Sequence, residues 1–128
     1  AWQADAISNE QDGYDAMLSL FARGVDCDAV FAASDLIAIG AMRAIQERGM
    51  AIPEQIAVAG FDNIAMVNFV SPALTIVLQD TKQAGELLVK TLLHLINNEP
   101  VQSQMLPAKL IIRRSCGAVC QPEGDPVQ

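Results

Sequence analysis

The sequence predicts an α/β fold in which a parallel sheet is covered by helices on both faces. Short, continuously apolar segments alternate along the chain with longer segments whose apolar residues recur every three or four positions, as they do on one face of a helix. Parallel strands need crossover connections, and the helices in those connections cover the sheet. The chain has 128 residues, of which 52% are hydrophobic, and this is enough for one packed core.

The first half of the chain predicts a helix, a strand and a second helix. The first helix is predicted within residues 9–24, where apolar residues recur at helical spacing. Its apolar face consists of Tyr14, Met17, Leu18 and Phe21. Residues 28–33, DAVFAA, form a short apolar strand. Ser34 or Asp35 is a candidate N-cap for the second helix, which is expected to end before Gly49.

The second half predicts three further strands and the longest helix. Two apolar strands are expected at residues 56–61, IAVAGF, and 74–79, LTIVLQ. A helix is expected over 80–98, where an apolar stripe continues for about four turns. Residues 106–115, LPAKLIIRRS, contain a last strand. Residues 118–128 are predicted to be a disordered tail, because they contain no apolar cluster to bury.

Composition argues against several classes of function. The net charge is -7, and Arg113-Arg114 is the only adjacent basic pair, so the chain itself has no basic surface for nucleic-acid phosphates. No apolar run approaches the ~20 residues of a membrane span, and no signal peptide is recognisable at the N-terminus. Three cysteines and one histidine do not form a recognised metal-binding spacing. We therefore expect no metal, no cofactor, no membrane contact and reduced thiols in the cytoplasm.

Three of the predicted strands end in side chains that form hydrogen bonds. These pairs are Ser34-Asp35, Asp62-Asn63 and Gln79-Asp80. In open α/β sheets, ligands bind outside the carboxyl ends of the strands, where neighbouring parallel strands meet one edge. Carboxylates and amides next to Phe61 suit a ligand rich in hydroxyl or amide groups. A wrong ligand would leave polar groups unpaired at about 1–3 kcal/mol each.

Asp62 is the strongest candidate for ligand binding. An asparagine or serine would turn the chain equally well at that point, and Gly60 lets the backbone approach another group closely. Asp35 and Asp80 have an equal claim to be helix N-caps, worth about 1 kcal/mol each. An α/β enzyme using Asp35 and Asp62 is an alternative, but nothing sets the separation of the two carboxylates. Phosphate-binding and nucleophile motifs are absent from the sequence, so we expect no catalysis.

The order of these motifs resembles the effector-binding domain of the lactose and galactose repressor family over about residues 9–117. The shared features are a strand ending in Ser-Asp, a proline-bearing loop, GFD at 60–62, P-x-L-T at 72–75 and R-R-S at 113–115. The resemblance implies a periplasmic-binding-protein-like fold of type I that is incomplete and consists mostly of the C-terminal lobe.

The resemblance also implies how the chain divides between two lobes. Residues 1–78 would belong to the C-terminal lobe, 79–105 would cross to the N-terminal lobe, and 106–117 would return as a strand. Residues 118–128 would be the tail. The helix at 80–98 would then lack its packing partner, and we expect it to pack on another copy of the chain or to move freely.

Four positions of the family's effector site can be identified in this sequence. Asp62 matches an aspartate that hydrogen-bonds the effector's hydroxyl groups, and Gln79 matches a glutamine that reaches the ligand. Ser34 stands where many members have an effector-binding asparagine. Ser8 stands where members often carry a stacking aromatic residue, so a ring-stacking platform would be missing there.

The resemblance implies the effector-binding and dimerising part of a ligand-responsive bacterial transcriptional repressor. Its effector would be a small molecule, and a sugar suits the hydroxyl-binding side chains best. Operator DNA would be bound through a head domain outside this chain, and the protein would be a cytoplasmic homodimer. The alternative is a periplasmic sugar-binding receptor of a transporter.

Overall fold

The computed structural model describes residues 2–118, and its elements follow the predicted order. The helices are α1 Glu10–Ala22, α2 Asp35–Glu47 and α3 Thr81–Ile96. The strands are β1 Ala29–Phe31, β2 Ala57–Phe61, β3 Thr75–Gln79 and β4 Ala108–Ile111. Short 3-10 helices lie at Ala65–Asn68 and Arg114–Cys116. Apart from Ala118, the tail predicted to be disordered lies outside the described residues.

The four strands form one mixed sheet in the order β1-β2-β3-β4. The first three strands are parallel, whereas β4 runs antiparallel to β3. The predicted α/β class is confirmed, but the expectation of a wholly parallel sheet was wrong. The chain leaves the sheet after Gln79 and returns at Ala108, which is paired with Gln79. Because it leaves and re-enters at the same end of the sheet, β4 has to run in the opposite direction.

The core lies between the sheet and the pair of helices α1 and α2. Its largest fully buried apolar side chains are Met17, Ile45, Ile56, Val58, Val67, Leu74 and Ile76. Val58 and Gly60 of β2 are buried, whereas the alternate residues Ala57, Ala59 and Phe61 are only half-buried. Since successive strand residues point to opposite faces, the face away from α2 is covered less completely than the sequence predicted.

Two glycines allow α1 and α2 to pack in close contact. A Cβ atom added to Gly13 would lie 2.7 Å from the Cα atom of Ile37. A Cβ atom added to Gly40 would lie 2.7 Å from the Tyr14 nitrogen and closer still to the Glu10 carbonyl oxygen. These neighbours are backbone atoms, which cannot move aside by changing a rotamer. The absence of a side chain at both positions therefore sets the distance between the helices.

Helix α3 projects from the domain and none of its residues is buried. Its exposed apolar residues are Leu88, Val89, Leu92, Leu93, Leu95 and Ile96. We call residues 80–107 the arm, since this segment leaves and rejoins the sheet at one point. The arm does not cover a face of the sheet. None of the helices within residues 2–118 has the length and apolar character needed to cross a membrane.

The chain after β4 is fastened to two neighbouring strands by Ser115, which is 0% exposed. Its hydroxyl donates to the Val58 carbonyl oxygen at 2.6 Å and accepts the Thr75 N–H at 2.8 Å. The Ser115 N–H donates to the Ala73 carbonyl oxygen at 3.0 Å. One hydroxyl thus satisfies a backbone acceptor of β2 and a backbone donor of β3.

Candidate functional site

The carboxyl end of β2 presents Asp62 on a turn of unusual backbone conformation. Asp62 has φ 110° and Asn63 has φ 73°, values that non-glycine residues seldom adopt and that cost about 1–3 kcal/mol each. The turn is attached to β3 because the Asp62 N–H donates to the Val77 carbonyl oxygen at 3.0 Å. Asp62 is exposed, and none of the side-chain hydrogen bonds within residues 2–118 involves its carboxylate. Among the described residues, nothing occupies that carboxylate, which can accept further hydrogen bonds.

Asp35 supports this turn from below and is only 1% exposed. Its Oδ2 accepts the Ile64 N–H at 2.8 Å, whereas Oδ1 is buried and has no hydrogen-bond partner within the described residues. Burial raises the pKa of Asp35, and the backbone N–H groups of Ile64 and Asn63 partly oppose this rise. Asp35 is the first residue of α2 and not its N-cap. The structure gives it a role in holding the turn after β2.

The position of Asp35 requires a glycine at position 60. From the sequence alone, the close approach that Gly60 allows supports ligand binding, and the structure corrects this interpretation. A Cβ atom at position 60 would lie 2.7 Å from Asp35 Oδ1 and 3.2 Å from the Ala38 Cβ atom. The close approach that glycine permits is therefore made by α2 of the same chain. A ligand is not needed to explain this glycine.

Ser34 caps the N-terminus of α2. Its hydroxyl accepts the Ile37 N–H at 3.4 Å, which satisfies one of the unpaired donors of the first helical turn. Asp80 caps α3 in the same way by accepting the Gln83 N–H at 2.9 Å, so the interpretation of Asp80 as an N-cap is confirmed. The effector-binding role of Ser34 stays a prediction.

The remaining predicted residues are divided between the site and another part of the domain. Phe61 and Gln79 are the last residues of β2 and β3, and these parallel strands end at the same edge of the sheet as Asp62. Gln79 is exposed and Phe61 is half-buried. Ser8 lies before α1, where its N–H donates to Asp12 Oδ2 at 3.1 Å. No hydrogen bond of the described residues joins Ser8 to the polar edge, by which we mean the edge of the sheet that carries Asp62 and Gln79.

Sequence reasoning missed the role of Arg113 at this edge. Its Nη2 donates to Asn63 Oδ1 at 3.0 Å, and its Nη1 donates to the Leu74 carbonyl oxygen at 2.8 Å. Its backbone N–H donates to Thr75 Oγ1 at 2.8 Å. From the sequence, Arg113 was noticed only as half of the adjacent basic pair and as part of the closing R-R-S motif. A cation directly after an apolar strand was the available signal that this residue reaches a specific partner.

Two cavities in the described part of the chain lie away from the edge of the sheet that carries Asp62 and Gln79. One has a volume of about 580 Å³ and lies between α1, β1 and the segment that begins at Trp2. The other, of about 920 Å³, lies between the loop after α2 and the loop before β3. Neither cavity is lined by Asp62, Ser34, Asp35 or Gln79. Within residues 2–118, no three His, Cys, Asp or Glu side chains are grouped as metal ligands.

We expect Asp35→Asn to change how stability depends on pH. Because burial raises the pKa of Asp35 in the folded protein, the folded state binds more protons than the unfolded state between the two pKa values. The free energy of unfolding therefore falls as the pH rises through the folded pKa. The asparagine variant does not titrate, and its side-chain oxygen can still accept the Ile64 N–H.

The test is urea unfolding of both proteins between about pH 4 and pH 7. The free energy of unfolding of the wild type, minus that of Asp35→Asn, should be largest at the acidic end and fall towards neutral pH. A difference that is constant across this range would show that the pKa of Asp35 is the same in the folded and unfolded states.

Residues 2–118 thus form an α/β domain of the ligand-binding class, in which polar side chains follow the carboxyl ends of parallel strands. A family model described as "Periplasmic binding protein-like domain" matches residues 2–116. The chain belongs to this family and, within it, to the lactose and galactose repressor group.

Two curated relatives illustrate the similarity. The HTH-type transcriptional repressor PurR of Pasteurella multocida is 34% identical over 116 residues, which are 89% of this chain and 35% of that protein. The HTH-type transcriptional repressor MelR of Bacillus subtilis is 38% identical over 112 residues, which are 87% of this chain and 33% of that protein. The chain therefore spans about a third of the length of the curated relatives that it matches.

Two solved structures share the fold. The lac repressor dimer bound to operator and the anti-inducer ONPF matches 88% of this chain and 40% of its own, with a TM-score of 0.81 and 31% identity. The complex of the transcriptional regulator CelR with cellobiose matches 86% of this chain and 34% of its own, with a TM-score of 0.78 and 33% identity.

Proposed function

We propose that this chain is the effector-binding and dimerising part of a ligand-responsive bacterial transcriptional repressor. The observation that carries the proposal is the exposed Asp62 carboxylate, which has no hydrogen-bond partner among the described residues and is presented on a strained turn at the carboxyl end of β2. A turn costing several kcal/mol is retained when the position of its side chain matters. The function is binding without catalysis.

The effector we propose is a sugar, and Asp62 and Gln79 are the residues that bind its hydroxyl groups. A carboxylate accepts two or more hydrogen bonds and an amide both donates and accepts them, which matches a polyhydroxylated ligand. The similar regulator CelR has been solved with cellobiose. Ser34 and Phe61 would complete this wall of the site, and Asp35 would contribute to it by holding the turn that carries Asp62.

We propose that the arm belongs to a second lobe which closes over this wall. Residues 1–78 and 106–117 would form one lobe, and 79–105 would cross to the other. The pairing of Gln79 with Ala108 supports this division, because the arm leaves and re-enters the first lobe at one place. The exposed apolar side chains of α3 also support it, since full burial of each large one is worth about 1.5–3 kcal/mol.

We propose two further properties of the regulator, which the relatives support. It would bind operator DNA through a head domain outside this chain, and it would act in the cytoplasm as a homodimer. The similar lac repressor structure is described as a dimer bound to operator. The net charge of -7 agrees with DNA binding by a separate head domain, because a chain that bound DNA phosphates directly would be expected to carry a basic surface.

Asp62→Gly tests the proposed site. Glycine adopts the φ of 110° found at this position without strain, so the substitution removes the carboxylate and leaves the turn. With cellobiose and a set of monosaccharides as probes, titration followed by amide NMR shifts should locate binding at residues 61–64 and 79. Loss of a hydrogen bond to a charged group should weaken that binding about tenfold or more in the variant.

The matched control is Asp5→Gly, which removes an exposed carboxylate from the segment before α1. It should bind the sugar with unchanged affinity. Chemical conversion of any sugar by the wild-type chain would overturn the proposal in favour of an enzyme. Binding that is unaffected by Asp62→Gly would show that the sugar occupies another site.

A further inference from the structure

Arg113 joins three separate parts of the chain. It lies two residues after the end of β4, its guanidinium reaches Leu74 before β3, and it extends to Asn63 in the turn after β2. The two hydrogen bonds use different nitrogens of the guanidinium, so its planar group is held in one orientation. The backbone N–H of Arg113 is held as well, by Thr75 Oγ1.

The turn that Arg113 reaches has two consecutive non-glycine residues with positive φ, Asp62 and Asn63. Three contacts hold it there. The Asp62 N–H donates to Val77, the Ile64 N–H donates to Asp35, and the Asn63 side chain accepts from Arg113. The first two contacts involve neighbouring elements of the core. The contact with Arg113 comes from the segment that follows β4, on the far side of β3.

From this geometry we propose that Arg113 is a positioning residue through which β4 sets the orientation of Asp62. The inference rests on the proposed function, in which Asp62 binds the effector. Strand β4 directly follows the arm, so a displacement of the arm would pass to β4 and from there to Arg113 and Asn63. Asn63 directly follows Asp62 in the chain. The presentation of the ligand-binding carboxylate thereby depends on where the arm lies.

The experiment compares Arg113→Gln with Arg113→Lys and with the control Arg114→Gln. Arg114 is the exposed neighbour of Arg113, and no side-chain hydrogen bond of the described residues involves it. In Arg113→Gln we expect shifted amide NMR signals for residues 62–64. We also expect about tenfold faster hydrogen exchange of the Asp62 amide, because the turn loses one charge-assisted hydrogen bond. Arg113→Lys keeps the positive charge, so both effects should be smaller than in Arg113→Gln. Arg114→Gln should show neither effect.

Asn63→Gly tests the hydrogen bond between Arg113 and Asn63 by removing its acceptor. Glycine accepts the φ of 73° but lacks the oxygen that binds Arg113, and residue 63 is exposed, so the fold should tolerate the change. The Asp62 exchange rate in the double variant should equal that in either single variant. Additive effects, or an Arg113→Gln protein whose 62–64 signals match the wild type, would overturn the proposal. Neither readout uses a ligand. Failure of sugar binding would therefore refute the proposed site, whereas these two readouts would still decide whether Arg113 holds the turn that carries Asp62.

Discussion

Gly40→Ala should lower the free energy of unfolding by about 2–3 kcal/mol, the upper part of the range for overpacking a core. The added methyl group would meet backbone atoms of Glu10 and Tyr14 across the α1–α2 contact. Backbone atoms cannot yield by changing a rotamer, so the helices have to separate at this point. Separation opens the packing around Met17 and Ile45, which are 1% and 0% exposed. The higher helix propensity of alanine, about 1 kcal/mol, offsets only part of this loss.

Gly85→Ala is the matched control, because it makes the same substitution inside a helix where a Cβ atom would have no neighbour within 4 Å. It should leave stability unchanged or raise it by up to about 1 kcal/mol. Urea unfolding followed by circular dichroism measures both variants. Equal effects of the two substitutions would mean that the α1–α2 contact is looser than the structure describes.

Ser115→Ala should cost about 3 kcal/mol of stability. The substitution removes the hydroxyl that accepts the Thr75 N–H and donates to the Val58 carbonyl oxygen. Both backbone groups would stay buried without a partner, and each unsatisfied group costs about 1–3 kcal/mol. The methyl group of alanine is too small to disturb the surrounding packing. The loss should therefore come almost entirely from the two unpaired groups.

Two further variants separate this explanation from a general intolerance of substitution. Ser115→Cys keeps a similar shape with a weaker donor and acceptor, so its stability should lie between those of the wild type and Ser115→Ala. Ser103→Ala changes an exposed serine of the arm and should have no effect beyond about 0.5 kcal/mol. A Ser115→Ala protein as stable as the Ser103→Ala protein would contradict the assigned hydrogen bonds.

Local signals in the sequence were sufficient to locate the helices and strands. The apolar run at 56–61 became β2 Ala57–Phe61, and the run at 74–79 became β3 Thr75–Gln79. The stripe at 80–98 became α3 Thr81–Ile96. These elements were predictable because the period of apolar residues, caps and turn residues all act within a few positions of each other.

The direction of β4 was not predictable in the same way. An apolar segment after a helix is compatible with either direction in a sheet, and the choice depends on where that helix lies. In this protein the arm projects from the sheet and returns to Gln79. The path of the arm is a property of the whole chain and is not encoded near residues 106–115.

The candidate site was predictable in its position and only partly in its contacts. The rule that ligands bind at the carboxyl ends of parallel strands placed Asp62 and Gln79 at one edge. The turn held by Asp35 and Arg113 could not be inferred, because both residues are distant from it in sequence: Ile64 lies 29 residues from Asp35, and Asn63 lies 50 residues from Arg113.

The α/β class, the order of the elements and the polar residues at the strand ends could all be read from the amino-acid sequence, since each depends on side chains close together in the chain. Three contacts became visible in the folded domain alone: Gly60 accommodates Asp35, Ser115 joins two strands and Arg113 reaches Asn63. Each of these contacts joins segments that are remote in sequence. Their partners are selected by the packing of the whole domain, through steric fit and the need to satisfy buried polar groups.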